Sequence, residues 1–407
     1  MIFTLVKNEL IKILRRGKTW IVFGLFALSV IGVGFLGNYS AKQTENYKSP
    51  QGQIESLNRN IEMNNQQIKN LESNEESWAK TEIERMNSST EEIKEQIKVQ
   101  EERLNNGDAP NAWKTDLQQE KMSLEKMLED KSIPEEARIY QKTRLDEINM
   151  FLDKDVKPVE EWEFNAFNYA DGLLQIIGLI ILVSGIAVFM SDIVSGESTP
   201  PTLKFLLVQP ISRGKVILSK FIAVVITVVG MIGGLELAAF GIIGAIGGFN
   251  GGQMPKIIGT QYQWDYSKLS SSGDPFLNQI QNSGVTSTRA EALFQSFGLE
   301  ILFIIACCAF IFLISSIFKS SMITMAISVI VSVTSTMVCL MSSTVGKVAH
   351  LIFLNYGATN TVIDGSVARG FNNPNFSVGL GAALMVGTII VSYIIAHIVF
   401  SKKDFLI

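Results

Sequence analysis

Three Gly-Lys pairs, two histidines, three cysteines and one glutamate near the middle of an apolar run are the residues of this chain whose types and spacing could do chemistry. A phosphate-cradling loop needs a glycine, four residues and then Gly-Lys, because the first glycine makes the turn that aims backbone N–H groups at the phosphates. The pairs at Gly17, Gly214 and Gly346 are preceded at that distance by Lys12, Gln209 and Met341, so the chain cannot hold a nucleoside triphosphate in that way. His350 and His397 are the only histidines and HExxH does not occur, which removes a His-rich metal site and a Ser-His-Asp triad. Cys307, Cys308 and Cys339 all fall inside apolar runs, leaving neither a disulfide framework nor a Cys/His zinc site. Glu236 remains. It follows Gly233 and Gly234 near the middle of its run, where a carboxylate is costly unless it is protonated, paired or faces water. It is the intramembrane candidate, either touching substrate or a dimer seam, or protonated and hydrogen-bonded to a neighbouring helix. Glu300 and His397 are read as interfacial, nearer the membrane edges. Any power source is therefore another protein or an ion gradient.

The elements that must position these residues are six apolar runs, each long enough to cross ~30 Å of hydrocarbon at ~1.5 Å per residue. They are expected at 19–37, 172–191, 221–248, 297–318, 322–341 and 378–400. Lys7, Lys12, Arg15, Arg16 and Lys18 precede the first run. Lys204, Arg213, Lys215 and Lys220 lie between the second and third, Lys319 between the fourth and fifth, and Lys402 and Lys403 after the sixth. Six crossings put all of these on one side, and the positive-inside rule makes that side the cytoplasm. Residues 1–18 are then a cytoplasmic amphipathic interfacial helix, 192–220 a cytoplasmic coupling segment and 401–407 a cytoplasmic tail. Residues 38–171 form an extracellular arm, 249–296 an extracellular loop and 342–377 a re-entrant or interfacial segment. The first run is read as a retained anchor and not a cleaved signal, because a long amphipathic stretch precedes it and no small-x-small site follows.

Residues 38–170 carry 18 Lys plus Arg against 28 Asp plus Glu, a net of −10, and since the whole chain is −4 the remainder is +6. An acidic solvated module and a basic-flanked membrane module share one chain, which argues against nucleic acid as a partner. Ile54, Leu57, Ile61, Ile68 and Leu71, then Ile83, Met86, Ile93, Ile97 and Leu104, keep a three-four spacing on either side of a polar break at 73–77. Asn64, Thr90 and Gln100 fall where apolar seam residues belong, so the arm reads as an interrupted coiled coil. Trp113, Leu117, Leu124 and Leu128 mark a return helix. Ser132 with Glu135 reads as a capping box opening a last helix with Tyr140, Leu145, Ile148 and Leu152 on one face. Thr288 with Glu291 forms a second box, read as a short helix leading into the fourth run. The fold class is thus an all-α integral membrane protein of six transmembrane helices, with a helical, coiled-coil-like extracellular arm between the first two.

Between the second and third runs, Leu203, Phe205, Leu206, Leu207 and Val208 make a short apolar stretch bracketed by prolines and flanked by basic residues, suited to a groove on a soluble partner. Glu197, Thr202, Leu203, Leu206, Leu207, Pro210, Ser212, Arg213 and Lys220 stand where the ABC-2 transporter permeases carry their signature, and here the chain resembles that family. Pro201 replaces the glycine usual before the threonine. The amphipathic N-terminus, the 314–319 stretch and the Phe400 to Asp404 ending are similar as well, so the likeness covers the membrane part and leaves out the arm. The resemblance implies a permease subunit with no catalytic activity and no cofactor of its own. It implies two copies of a cytoplasmic ABC ATPase holding ATP and Mg, a second permease copy or a paralogue, and a lipid bilayer, in a bacterial plasma membrane. Glu197, Thr202, Leu203, Phe205, Leu206, Leu207 and Arg213 would couple it to that ATPase. The cargo would be amphipathic, peptide or lipid-like, as in antibiotic-peptide efflux or immunity. The alternative is an ATPase-independent scaffold or receptor, resembling phage-infection or type VII secretion accessory proteins.

The charge distribution sets the first test. Cysteines introduced at Gln118 and Gln263 are expected to react with an impermeant thiol reagent in intact cells, and one at Ser198 is not. Labelling at Ser198 with protection at Gln118 would invert the topology.

Overall fold

The computed structural model describes residues 2–72, 77–106, 111–129, 135–198, 212–269, 273 and 275–402. Among the described residues, six helices are long and apolar enough to cross a membrane: Gly17–Lys48, Ala166–Met190, Arg213–Gly247, Arg289–Ile317, Ser321–Met341 and Val378–Lys402, called spans one to six. Several run past their apolar windows, because a helix keeps satisfying its own backbone after it leaves hydrocarbon. The structure divides into two units, Met1–Gly34 with Asn165–Ile407, and Phe35–Phe164.

In the first unit, span four is the hub. It packs against spans two, three, five and six, and Phe303, Ala306, Cys307, Cys308, Ile311 and Phe312 on it are fully buried. Burial, not redox chemistry, accounts for the cysteines. Span one is peripheral, turning Trp20, Ile21, Leu25, Leu28 and Ile31 outward in the way a lipid-facing helix does. The helix Ile2–Leu14 buries Val6 and Ile13 and packs on span three. Span one ties down carbonyls at its end, where Thr19 Oγ1 donates to Ile13 O (2.7 Å) beside Arg16 N (3.2 Å), and Trp20 Nε1 to Leu14 O (2.9 Å).

Span two is not a uniform helix. A π-helical turn, Ile177–Ile181, separates Ala166–Ile176 from Leu182–Met190. It lies where Gly178 meets Gly357 so closely that a Cβ on either would run into the other's carbonyl. Residues 342–377 contain only short turns, Ser343–Gly346, Ala349–Leu351, Phe353–Tyr356, Thr359–Asp364 and Val367–Gly370. Asparagines satisfy that irregular backbone. Asn355 Nδ2 donates to Ala349 O (2.9 Å), and Asn373 Nδ2 to Gly346 O (2.7 Å) and Lys347 O (3.0 Å).

The expected loop at 249–296 contains strands that the sequence reading did not foresee. β1 (Pro255–Ile258) pairs antiparallel with β4 (Val285–Thr288), from Pro255 opposite Thr288 to Ile258 opposite Val285. β2 (Tyr262–Leu269) pairs antiparallel with β3 (Pro275–Gln279). The Thr288–Glu291 box is present, with Glu291 N donating to Thr288 Oγ1 (3.2 Å) and Thr288 N to Glu291 Oε2 (3.3 Å). It opens span four itself and not a separate short helix.

The second unit holds helices Pro50–Leu71, Ser77–Asn106, Ala112–Glu129 and Glu135–Asp153. The first two pack against each other as an antiparallel pair, and two of the polar seam residues meet: Asn64 Nδ2 donates to Thr90 Oγ1 (3.3 Å), whose hydroxyl donates to Met86 O (2.8 Å). The last two pack likewise, burying Leu117, Ile148 and Phe151. Arg144 clamps Glu120 through two bonds of 2.8 and 3.0 Å. The expected cap at Ser132 lies outside the described residues. Within the same unit, Lys48 pairs with Glu160 (3.4 Å) and lies over the Trp162 ring.

The tight Gly178–Gly357 crossing predicts that Gly178→Ala lowers the thermal unfolding midpoint of the detergent-solubilised protein, at about 1–3 kcal/mol for overpacking. Gly172→Ala, where nothing lies near the added methyl, should leave it unchanged. Equal midpoints for the two variants would remove the crossing.

Candidate functional site

The connector between spans two and three is anchored at both ends. Where span two finishes, Ser195 Oγ turns back onto Ser191 O (2.6 Å), and Ser315 Oγ of span four accepts from Val194 N and Ser195 N, each at 3.2 Å. Glu197 sits in the 3-10 turn Ser195–Ser198 that follows. Asp192 beside it pairs with Lys18 (2.9 Å) and Arg16 (3.3 Å) from the start of span one. Thr202, Leu203, Phe205, Leu206 and Leu207 lie outside the described residues. At the other end Arg213 opens span three, its guanidinium donating to Ser401 O at the end of span six (3.2 Å).

Lys215 and Lys220, expected in a coupling loop, are already helical. Lys220 is 1% exposed and pairs with Glu9 of the N-terminal helix at 3.1 Å. A lysine buried to this degree needs its partner, since desolvating an isolated ammonium is costly. The N-terminal helix is therefore held by a charge pair as well as by its apolar face.

Glu236 and Glu300 are brought together. The sequence reading placed Glu300 near a membrane edge because the apolar window starts at Phe297, but the helix begins at Arg289, and Glu300 lies ~16 Å along it. Glu236 is a similar distance before the end of span three at Gly247. They are 1% and 2% exposed, and their carboxyls face one another. Neither Glu236 oxygen has a hydrogen-bond donor against it, because the group it faces is another carboxyl and two carboxylates only accept. Tyr169 of span two is close enough to Glu236 to interact with it, while its hydroxyl donates to Val30 O of span one (3.1 Å). His397 sits at the far end of span six against Gly214 and Tyr393.

A polar cluster missed in the sequence ties the opposite ends of the spans. Arg289 donates to Asp171 Oδ2 (2.9 and 3.2 Å) and Asn168 Oδ1 (2.6 Å) of span two. Lys256 of β1 reaches Asp171 (3.6 Å) and Asp364 (3.8 Å), and Asn360 donates to Asp171 O (2.9 Å). Burial pushes the Asp364 carboxyl above its ordinary range, partly offset by Ser366 and Lys256. Asp171 borders the apolar run at 172–191, the one signal that could have found it, whereas Arg289 lies well before the run at 297–318.

Among the described residues no group of three or more His, Cys, Asp or Glu could hold a metal ion. The family described as ABC-2 family transporter protein matches residues 3–405, which takes in the arm as well as the spans. No curated protein and no solved structure matches the chain.

Glu9→Gln leaves the buried Lys220 facing a neutral amide and is expected to destabilise the solubilised protein by about 1–3 kcal/mol in thermal unfolding. Lys12→Gln, which removes the longer and more exposed contact to Glu9 (3.9 Å), should do little. Comparable losses would mean that Lys220 does not depend on Glu9.

Proposed function

The chain belongs to the ABC-2 transporter family, and we propose on that premise that it is the membrane-spanning permease subunit of an ATP-driven exporter. The observation that carries the reading is the match over nearly the whole chain, six spans and connector included. Energy comes from a separate cytoplasmic ATPase, two copies of which bind ATP and Mg, and the permease pairs with a second copy of itself or a paralogue. The termini lie in the cytoplasm, and Glu197, Thr202, Leu203, Phe205, Leu206, Leu207 and Arg213 form the coupling segment.

The anchoring of that segment supports its role. A force applied between Ser198 and Ser212 has stiff points to act on: Ser315 on span four, Asp192 just after span two with its partners Arg16 and Lys18 at the start of span one, and Ser401 on span six, each held by hydrogen bonds or ion pairs. The cargo is amphipathic, peptide or lipid-like, and moves outward. The Phe35–Phe164 unit contributes recognition of cargo or of an extracellular agent.

Replacing Leu203 and Leu206 by Asp places unpaired carboxylates on the docking surface, which is costly on burial. The double variant is expected to stay in the membrane and lose most of the ATPase that co-purifies with the wild type. Undiminished co-purification would rule out this docking segment.

A further inference from the structure

Glu236 and Glu300 are used by nothing described so far. Two carboxyls face each other in the middle of a helical bundle, almost fully buried, and both oxygens of Glu236 lack a hydrogen-bond partner. Two carboxylates so placed would repel each other with little solvent to screen them.

No cation in the described structure is placed to relieve that repulsion. On span four the nearest is Arg289, ~16 Å along the helix and committed to Asp171. On span three it is Lys220, ~24 Å away and paired with Glu9. Span two offers Tyr169, whose hydroxyl is occupied by Val30 O, and span one offers Val30 and Gly34 at the same place. Span six meets span three elsewhere, bringing Tyr393 against Phe221 and His397 against Gly214. A proton is the cation that fits between groups buried this completely, and it supplies the missing hydrogen bond, one carboxyl donating O–H to the other.

We propose that Glu236 and Glu300 form a proton-binding site midway through the membrane, holding one shared proton in this conformation and releasing it to water when the spans around it part. On closure a hydronium O–H bond breaks as a carboxyl O–H bond forms, on opening the reverse occurs, and no bond between heavy atoms changes. Conformational change of the spans is thereby linked to proton uptake and release. The site stands on burial and pairing alone, so it does not require the exporter reading.

Infrared spectroscopy of the purified full-length protein in lipid nanodiscs tests this. At neutral pH the wild type should show a protonated-carboxyl C=O band that shifts to lower frequency in heavy water and disappears in the Glu236→Gln, Glu300→Gln double variant. If that variant does not fold, the singles Glu236→Gln and Glu300→Gln should each move or remove the band, because each exchanges a carboxyl neighbour for an amide. A wild-type spectrum without the band, or a band unchanged in the variants, would overturn the proposal. ATPase co-purification is unaffected by either result, which keeps this test separate from that of the coupling segment.

Discussion

Hydrocarbon offers no partner to a backbone N–H or C=O, and this one constraint arranges most of the molecule. It makes the chain cross as six self-satisfied helices, and it pushes most charge to their ends. Because the charges collect there, the ends become the places where helices are tied together. One collar is built from Asp192, Arg16, Lys18, Glu9 and Lys220, and the other from Asp171, Arg289, Lys256 and Asp364. Between them the core is apolar and packs around span four. Where the backbone is irregular, at 342–377, buried asparagines take over the role of the helix ladder.

The two collars differ in kind. The one joining Asp171, Arg289, Lys256 and Asp364 is a single network of ion pairs, reinforced by the backbone bonds from Gly259 N to Ile363 O (2.8 Å) and Thr260 N to Asp364 O (3.1 Å). The other is made of separate ties, each binding a different span to the connector or to the N-terminal helix. On the permease reading, separate ties suit the driven end, since spans can shift against one another there while the far end stays clamped. Glu236 and Glu300 sit between the two, where such a movement would be felt as a change in packing around the carboxyls.

Most of the helical architecture was legible in the sequence, because a run of about twenty apolar residues has few other solutions in a chain of this charge pattern. The arm helices were legible from three-four spacing, and Asn64 and Thr90 stood out as seam defects. Their hydrogen bond to each other was not visible, because it depends on the Pro50–Leu71 and Ser77–Asn106 helices folding back on one another. The strands β1 to β4 escaped for a similar reason. They are short and carry Lys256, Asp265 and Asn278 among their apolar residues, so pairing and not periodicity defines them. Glu300 was misplaced because hydropathy marks where apolar residues begin, whereas the Thr288 cap marks where the helix begins. For the arm bond and the strands a tertiary partner decided what local pattern left open, and for Glu300 a local cap did.

The central claim is that this chain is the membrane half of a machine powered by another subunit. Native mass spectrometry of the complex gently extracted from its own membranes tests that most directly. The predicted mass corresponds to two permease chains, identical or paralogous, with two copies of an ATP-binding subunit. A stable species containing this chain with no nucleotide-binding partner, under conditions that preserve the permease pair, would contradict it.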